Sequence, residues 1–339
     1  MINSDLKNST VIVTGANGFI GSVIIWQLNK IGFTQIVAVD SISLEKRNLL
    51  KHLKFAKFLL KDQLIKELQL EAKDRSEVLK KVSWIIHMGA CSSTTETNWE
   101  FLLENNTHYT QKLYEWAQKN HSGFIYASSA ATYGAGENGF DDNFDSEKLK
   151  PLNLYGESKV LFDRWLMKQV ALPEKVYGLK FFNVFGPMEY HKESMASVVY
   201  KSFHLIKQTS QVQLFKSHKP EYKDGEQLRD FVYVKDVSRW ILELMNKKPR
   251  SGIYNMGFGK ARTWLDLATS VFRSMNKTAN IQWIEIPDNI KNQYQYFTEA
   301  KMGKLFQQNL SSPEWPLEKA IEDYVKNYLE KGDAFLKAD

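Results

Sequence analysis

Gly15, Gly18 and Gly21 recur at three-residue intervals directly after a short β-branched run, Val11-Ile12-Val13, and few folds admit that arrangement. The run has the character of a strand buried on both faces. The turn that follows is built of small residues, and an apolar periodic stretch predicts a helix from about Ile20 to Ile31. A second apolar run, Gln35 to Val39, ends on an acid, Asp40. Each glycine has a mechanical use: the tight turn, the close approach of backbone N–H groups to a pyrophosphate, and close packing of helix on strand. The helix N-terminus adds unsatisfied donors and the positive end of its dipole. Strand, glycine turn, helix, strand and acid in this order predict a dinucleotide site, with Asp40 placed to hydrogen-bond an adenosine ribose.

The 339 residues allow one large domain or two unequal ones, with ample length for a core. A single cysteine, Cys91, excludes an intrachain disulfide framework and suits a reducing compartment. No apolar run is long enough to span a bilayer and the first ten residues lack a signal-peptide pattern, so a cytoplasmic protein with no membrane partner is expected. The net charge of +6 comes from dispersed lysines, densest from Lys46 to Lys81. There they alternate with Leu, Ile and Phe at roughly helical spacing, which reads as a solvated helix face and not a nucleic-acid footprint. The surplus would steer anionic small molecules inward. No metal-ligand cluster is apparent.

Beyond Asp40, Lys46 or Arg47 lies close enough in sequence to reach an adenosine 2′-phosphate, favouring NADP, whereas Asp40 itself favours NAD; the two signals conflict. Val82 to His87 reads as another buried strand, running into the small-residue turn Met88-Gly89-Ala90-Cys91-Ser92 at a strand end, where open α/β sheets bind ligands. Cys91 there is a small filler, since no base adjoins it. A helix is expected from Asn98 to Lys119, and a strand from Phe124 to Ala127 ending at Ser128 and Ser129. Tyr155 and Lys159, four apart at the start of a further helix, share a face. An ammonium beside a phenol lowers its pKa toward the working range, so that the phenol can exchange a proton with a substrate hydroxyl, and Ser129 supplies a third hydrogen bond.

These motifs, with FFNVFGP at 181–187 and RDFVYVKDV at 229–237, resemble the extended short-chain dehydrogenase/reductase family over nearly the whole chain. ACSSTTE at 90–96, ENN at 104–106, YASSAATYG at 126–134, NLYGESK at 153–159 and HKESMASV at 191–198 are similar to the branch that epimerises C6 of an ADP-heptose for lipopolysaccharide core precursors. The resemblance implies a doubly wound, mostly parallel α/β sheet with a smaller mixed α/β C-terminal substrate domain, and an NADP (or NAD) retained through turnover. It also implies an ADP-heptose substrate and a homo-oligomer, often pentameric. Residues 1–182 and about 228–262 would form the cofactor domain; about 183–227 and 263–339 would form the substrate domain.

Carried over residue by residue, the resemblance has Gly15, Gly18, Phe19, Ile20, Gly21, Asp40, Ser41, Lys46 or Arg47, Lys61, Met88 to Ser92, Asn105 and Lys159 hold the cofactor, with Val184 and Lys192 beside it. Tyr155, Lys159, Ser129 and Lys192 would be catalytic; Lys192, unremarkable in its local sequence, would be a second base. Asn183, Ser194, Phe215, Lys216, Ser217, Arg229 and Tyr294 would line the sugar-nucleotide site together with Ser129. The sequence departs from the family at Met88, where a glutamate is common, and at Lys201, where a substrate histidine is expected and His204 is a displaced candidate. Its segment 217–228 is longer than the family norm. A 4,6-dehydratase is disfavoured because Ala130 and Ala131 replace the acidic pair that eliminates water; a UDP-sugar 4-epimerase and a non-catalytic NAD(P)-binding protein remain as alternatives.

Overall fold

The computed structural model describes residues 6, 8–169, 171–291, 294–332 and 334–338. Seven parallel strands form the main sheet: β1 (Thr10–Thr14), β2 (Ile36–Asp40), β3 (Lys57–Leu60), β4 (Val82–His87), β5 (Gly123–Ser129), β6 (Val176–Phe181) and, after four short strands that lie elsewhere, Gly252–Met256. Those four are β7 (Asn183–Phe185), β8 (Val212–Phe215), β9 (Leu228–Arg229) and β10 (Phe231–Tyr233), so Gly252–Met256 is β11. The order β11-β6-β5-β4-β1-β2-β3 reverses between β1 and β4, and a doubly wound sheet opens a crevice at that switch point.

The β-branched runs occupy the centre because both faces of the sheet are covered. Val11 and Val13 point into one apolar layer and Ile12 into the opposite one, as the two-residue period of a strand requires. The first layer is closed by α1 (Phe19–Lys30) and by the helix Val234–Lys247, whose Val237, Trp240, Ile241 and Leu244 pack there. Among the described residues three two-stranded sheets lie outside the main one: β7 with β10, β9 with Arg262–Thr263, and β8 with Ile281–Ile284. A separate core gathers Phe185, Phe203, Leu214, Phe231, Val271 and Ile321 around these strands. No helix among the described residues is long and apolar enough to cross a membrane.

Two expectations change. The lysine-rich stretch 46–81 is helical only over α2 (Lys61–Gln69) and a short turn at Glu77–Leu79; Lys57–Leu60 is instead recruited as the edge strand. The helix expected from Asn98 is interrupted: α3 (Trp99–Leu102) and α4 (Tyr109–Lys119) flank a π-helical segment, Leu103–His108. Such widened turns re-aim side chains, frequently at functional sites.

Candidate active site

The crevice at the switch point is a cavity of about 590 Å³. Gly15 adopts φ +64 and a Cβ there would stand 2.7 Å from Gly89 N, while a Cβ on Gly21 would collide with Gly15 O. The glycines therefore bring β1, α1 and the 88–92 turn closer than any side chain allows. No side chain caps α1 at Gly18, and its first turn, Phe19 to Gly21, lines the cavity. This cradle fits a dinucleotide: small residues, open helix N–H groups and the positive dipole end converge on one wall.

At the end of β2, Asp40 lines the cavity together with Ser41 and Arg47. Asp40 accepts N–H groups from Asn17 and Ile42, both at 3.0 Å, and stands 3.7 Å from the Arg47 guanidinium. Arg47 Nε is buried with no hydrogen-bond partner among the described residues. Lys46 lies exposed outside the cavity. Lys61 Nζ donates to Asn105 Oδ1 at 2.6 Å, and both line the cavity. The π-helical segment lets the adjacent Asn106 point elsewhere: it accepts from Cys91 N (2.8 Å) and donates to Cys91 O (3.1 Å) and Ser158 Oγ (2.9 Å). Asn106 thus ties the 88–92 turn to the helix that carries Tyr155. His87 contributes from beneath. Its Nε2 faces a Thr110 hydroxyl already donating to Asn106 O, so Nδ1 accepts from Thr14, whose oxygen in turn receives Gly89 N–H. Burial drives the His87 pKa down to about 3 and keeps the ring neutral.

Asn153 caps α5 (Leu154–Met167) by accepting Gly156 N–H at 2.8 Å, which sets Tyr155 in the first turn and Lys159 one turn on. Both line the cavity, at 8% and 5% exposure. Ser129 ends β5 within the same wall and its Oγ accepts Ala131 N–H at 3.1 Å. Ala130 and Ala131 sit in the turn that follows, with no proton to donate. Lys159 Nζ donates to Ala127 O at 3.0 Å, and burial lowers its pKa to about 8 against the opposing pull of Asp163. The expected depression of Tyr155 by Lys159 is not what the structure gives. Burial raises the Tyr155 pKa and the Ser129 hydroxyl pulls it back only in part.

Lys192 enters from the Tyr190–Met195 turn, its Nζ 5.4 Å above the Phe19 ring, and lines the cavity with Val184. Burial lowers its pKa while Glu189 raises it. His191, to which sequence reasoning gave no role, also lines the cavity; burial, Arg47 and Lys192 drive its pKa to about 4. Only its place in HKESMASV could have flagged it.

Asn183 and Ser194 are exposed and outside the cavity. A second cluster gathers Phe215, Arg229 and Tyr294. Arg229, 8% exposed, sits 5.3 Å from the Tyr294 ring and 5.6 Å from that of Trp264, and Phe215 meets Tyr294 edge-on at 5.8 Å. Lys216 pairs with Glu285 at 2.8 Å, and Ser217 N–H is held by Asp224 within the 217–228 loop. Lys201 Nζ donates to Ser194 O (3.3 Å), and His204 packs on Tyr200.

Residues 11–257 match the model of the NAD dependent epimerase/dehydratase family. An ADP-L-glycero-D-manno-heptose-6-epimerase of Fusobacterium nucleatum is 45% identical over 96% of this chain and 100% of its own length. One of Nitratidesulfovibrio vulgaris is 43% identical over 96% and 99%. The crystal structure of the Helicobacter pylori ADP-L-glycero-D-manno-heptose-6-epimerase superposes with a TM-score of 0.77 at 26% identity, covering 96% of this chain and 98% of that one. The chain belongs to the NAD-dependent epimerase/dehydratase family and, within it, to the ADP-L-glycero-D-manno-heptose-6-epimerases.

Proposed function

We propose that this chain interconverts ADP-D-glycero-D-manno-heptose and ADP-L-glycero-D-manno-heptose by transient oxidation at C6, for lipopolysaccharide core synthesis. The observation that carries the reading is the convergence of Ser129, Tyr155, Lys159 and Lys192 on the wall of one dinucleotide-shaped cavity. C6 is a secondary carbinol, and its configuration cannot invert unless the C–H bond breaks. A bound nicotinamide supplies a reversible hydride acceptor, so that C6 becomes a ketone and regains the hydride on its opposite face. The protein's own groups move the proton. Tyr155 exchanges the C6 hydroxyl proton in one epimer, and Lys192 does so from the other side, because inversion moves that hydroxyl away from any single base. Ser129 donates to the carbonyl oxygen, and the Lys159 ammonium holds the ribose.

The cofactor we assign is NADP. Both Asp40 oxygens are occupied by backbone N–H groups, its charge faces Arg47, and the buried unpartnered Arg47 Nε supports a role for that side chain as a phosphate donor. The seven-stranded sheet side would hold the cofactor, and the small-sheet side, with Arg229, Phe215 and Tyr294, the nucleotide sugar. A homo-oligomer, pentameric by family resemblance, completes the reading, and light scattering on the purified chain checks it.

The purified chain is incubated with ADP-D-glycero-D-manno-heptose and, separately, with UDP-galactose. Conversion of the heptose alone is expected; turnover of UDP-galactose alone would overturn the assignment.

A further inference from the structure

Glu189 is a carboxylate with 0% exposure, one turn before Lys192, and nothing above gives it a task. Its Oε1 accepts the Ser197 hydroxyl at 2.7 Å and Gly186 N–H at 3.4 Å; its Oε2 accepts Ser197 N–H at 2.7 Å. Gly186 and Ser197 are the two ends of the loop that bears Lys192. The Glu189 carbonyl also accepts Lys192 N–H at 3.0 Å. The loop needs such ties, because Met188 (φ 82) and Glu193 (φ 47) both hold backbone conformations that side chains disfavour. Sealing a carboxylate from water is costly, and an apolar side chain would fill the space without that cost. A carboxyl group kept there, with both oxygens tied to the ends of the loop, implies a task in holding that loop.

We infer that Glu189 is the positioning residue of Lys192: its carboxylate staples Gly186 and Ser197, the two ends of the loop, and so sets where the Lys192 side chain stands. The inference rests on the reading of Lys192 as a proton-transfer group. Among the described residues the charges that act on Lys192 are Glu189 and Lys201, and those that act on the adjacent His191 are Arg47 and Lys192; the Glu189 charge acts in turn on Tyr190, Tyr200 and Tyr324, and burial raises the Glu189 pKa against the pull of Ser197, Lys192 and Gly186. Of the two that act on Lys192, Glu189 raises its pKa and Lys201 lowers it, so removing the Glu189 charge moves the Lys192 titration to lower pH.

The test compares Lys192→Met, Glu189→Gln and the double variant in the full chain with its cofactor. Glu189→Gln is expected to bind reduced cofactor like the parent and to lose at least about 10-fold in kcat, part of what an acid–base group supplies. The limb of its kcat–pH profile that vanishes in Lys192→Met should move to lower pH, and the double variant should be no slower than Lys192→Met. A parental kcat–pH profile in Glu189→Gln, or single-variant losses that multiply in the double variant, overturns the inference. Parental activity in Lys192→Met overturns instead the reading of Lys192 itself. Should Glu189→Gln fail to fold, Ser197→Ala cuts one staple and keeps the charge; lowered kcat with the limb unmoved supports the inference, and unchanged kcat overturns it.

Discussion

Lys180 Nζ lies 2.7 Å from Asp163 Oδ2 with both side chains sealed from solvent, two hydrogen bonds from Ser129 on the cavity wall. The same carboxylate accepts the hydroxyls of Tyr126 and Ser128 at 2.8 Å each, and Lys180 also donates to Thr132 Oγ1, which in turn donates to the Ser129 carbonyl. The pair thus joins α5, β5, β6 and the turn after Ser129. Removing one member leaves an uncompensated buried charge, so Lys180→Met is expected to cost about 3–5 kcal/mol, whereas Asp163→Leu/Lys180→Met restores much of it. Urea unfolding of the three proteins checks this.

Tyr155→Phe keeps the ring in its pocket and removes the proton. Epimerisation is expected to fall at least about 100-fold, the scale of a general acid–base group, with cofactor affinity unchanged. Steady-state rates and cofactor titration separate the two effects.

Lys159 offers a pH test. Its folded pKa of about 8 lies below the ordinary lysine value of 10.5, so between those pH values the unfolded chain binds more protons than the folded one. Stability rises with pH when the unfolded state is the more protonated. The penalty of burying the ammonium is therefore complete below about pH 8 and is relieved as pH climbs toward 10.5. Relative to Lys159→Met, the parent chain should gain stability across that window; a flat difference in denaturant midpoints would contradict the burial.

Arg47→Ala should weaken NADPH binding by about 10- to 100-fold, the value of a charged hydrogen bond, and leave NADH nearly unaffected. Equal losses for both cofactors would place the guanidinium on the shared pyrophosphate instead.

The stretch 334–338 straps the Lys192 loop from outside. Tyr190 Oη donates to Ala334 O, Leu336 N–H meets Met188 Sδ at 3.4 Å, and Trp26 Nε1 donates to Lys337 O at 3.0 Å. Leu336, buried against Phe19 and Met188, is expected to cost about 2–5 kcal/mol on change to Ala and to lower kcat as the loop loosens. Thermal melts and rates on the same preparation check both.

Much of the main sheet was legible because its signals are local. The β-branched runs alternate between two faces, the glycines are spaced for one turn, and Tyr155 and Lys159 are one helical turn apart. What escaped depends on partners distant in sequence. The π-helical turn that holds Asn105 and Asn106 is invisible in LENNTH, and the partners of Asn106, Cys91 and Ser158, lie 15 and 52 residues away in sequence. The edge strand at Lys57 masqueraded as helix because Lys54, Lys57 and Lys61 happen to fall at helical intervals. The direction of the Tyr155 shift follows from burial, which spacing does not report.

The central claim is tested most directly by epimerising ADP-heptose that carries deuterium at C6, in ordinary water. The account predicts an inverted product that keeps its deuterium, because the hydrogen leaves and returns as hydride. Loss of the label to solvent would mean that C6 is inverted through proton abstraction, and the chemistry assigned to Tyr155 and Lys192 would be wrong.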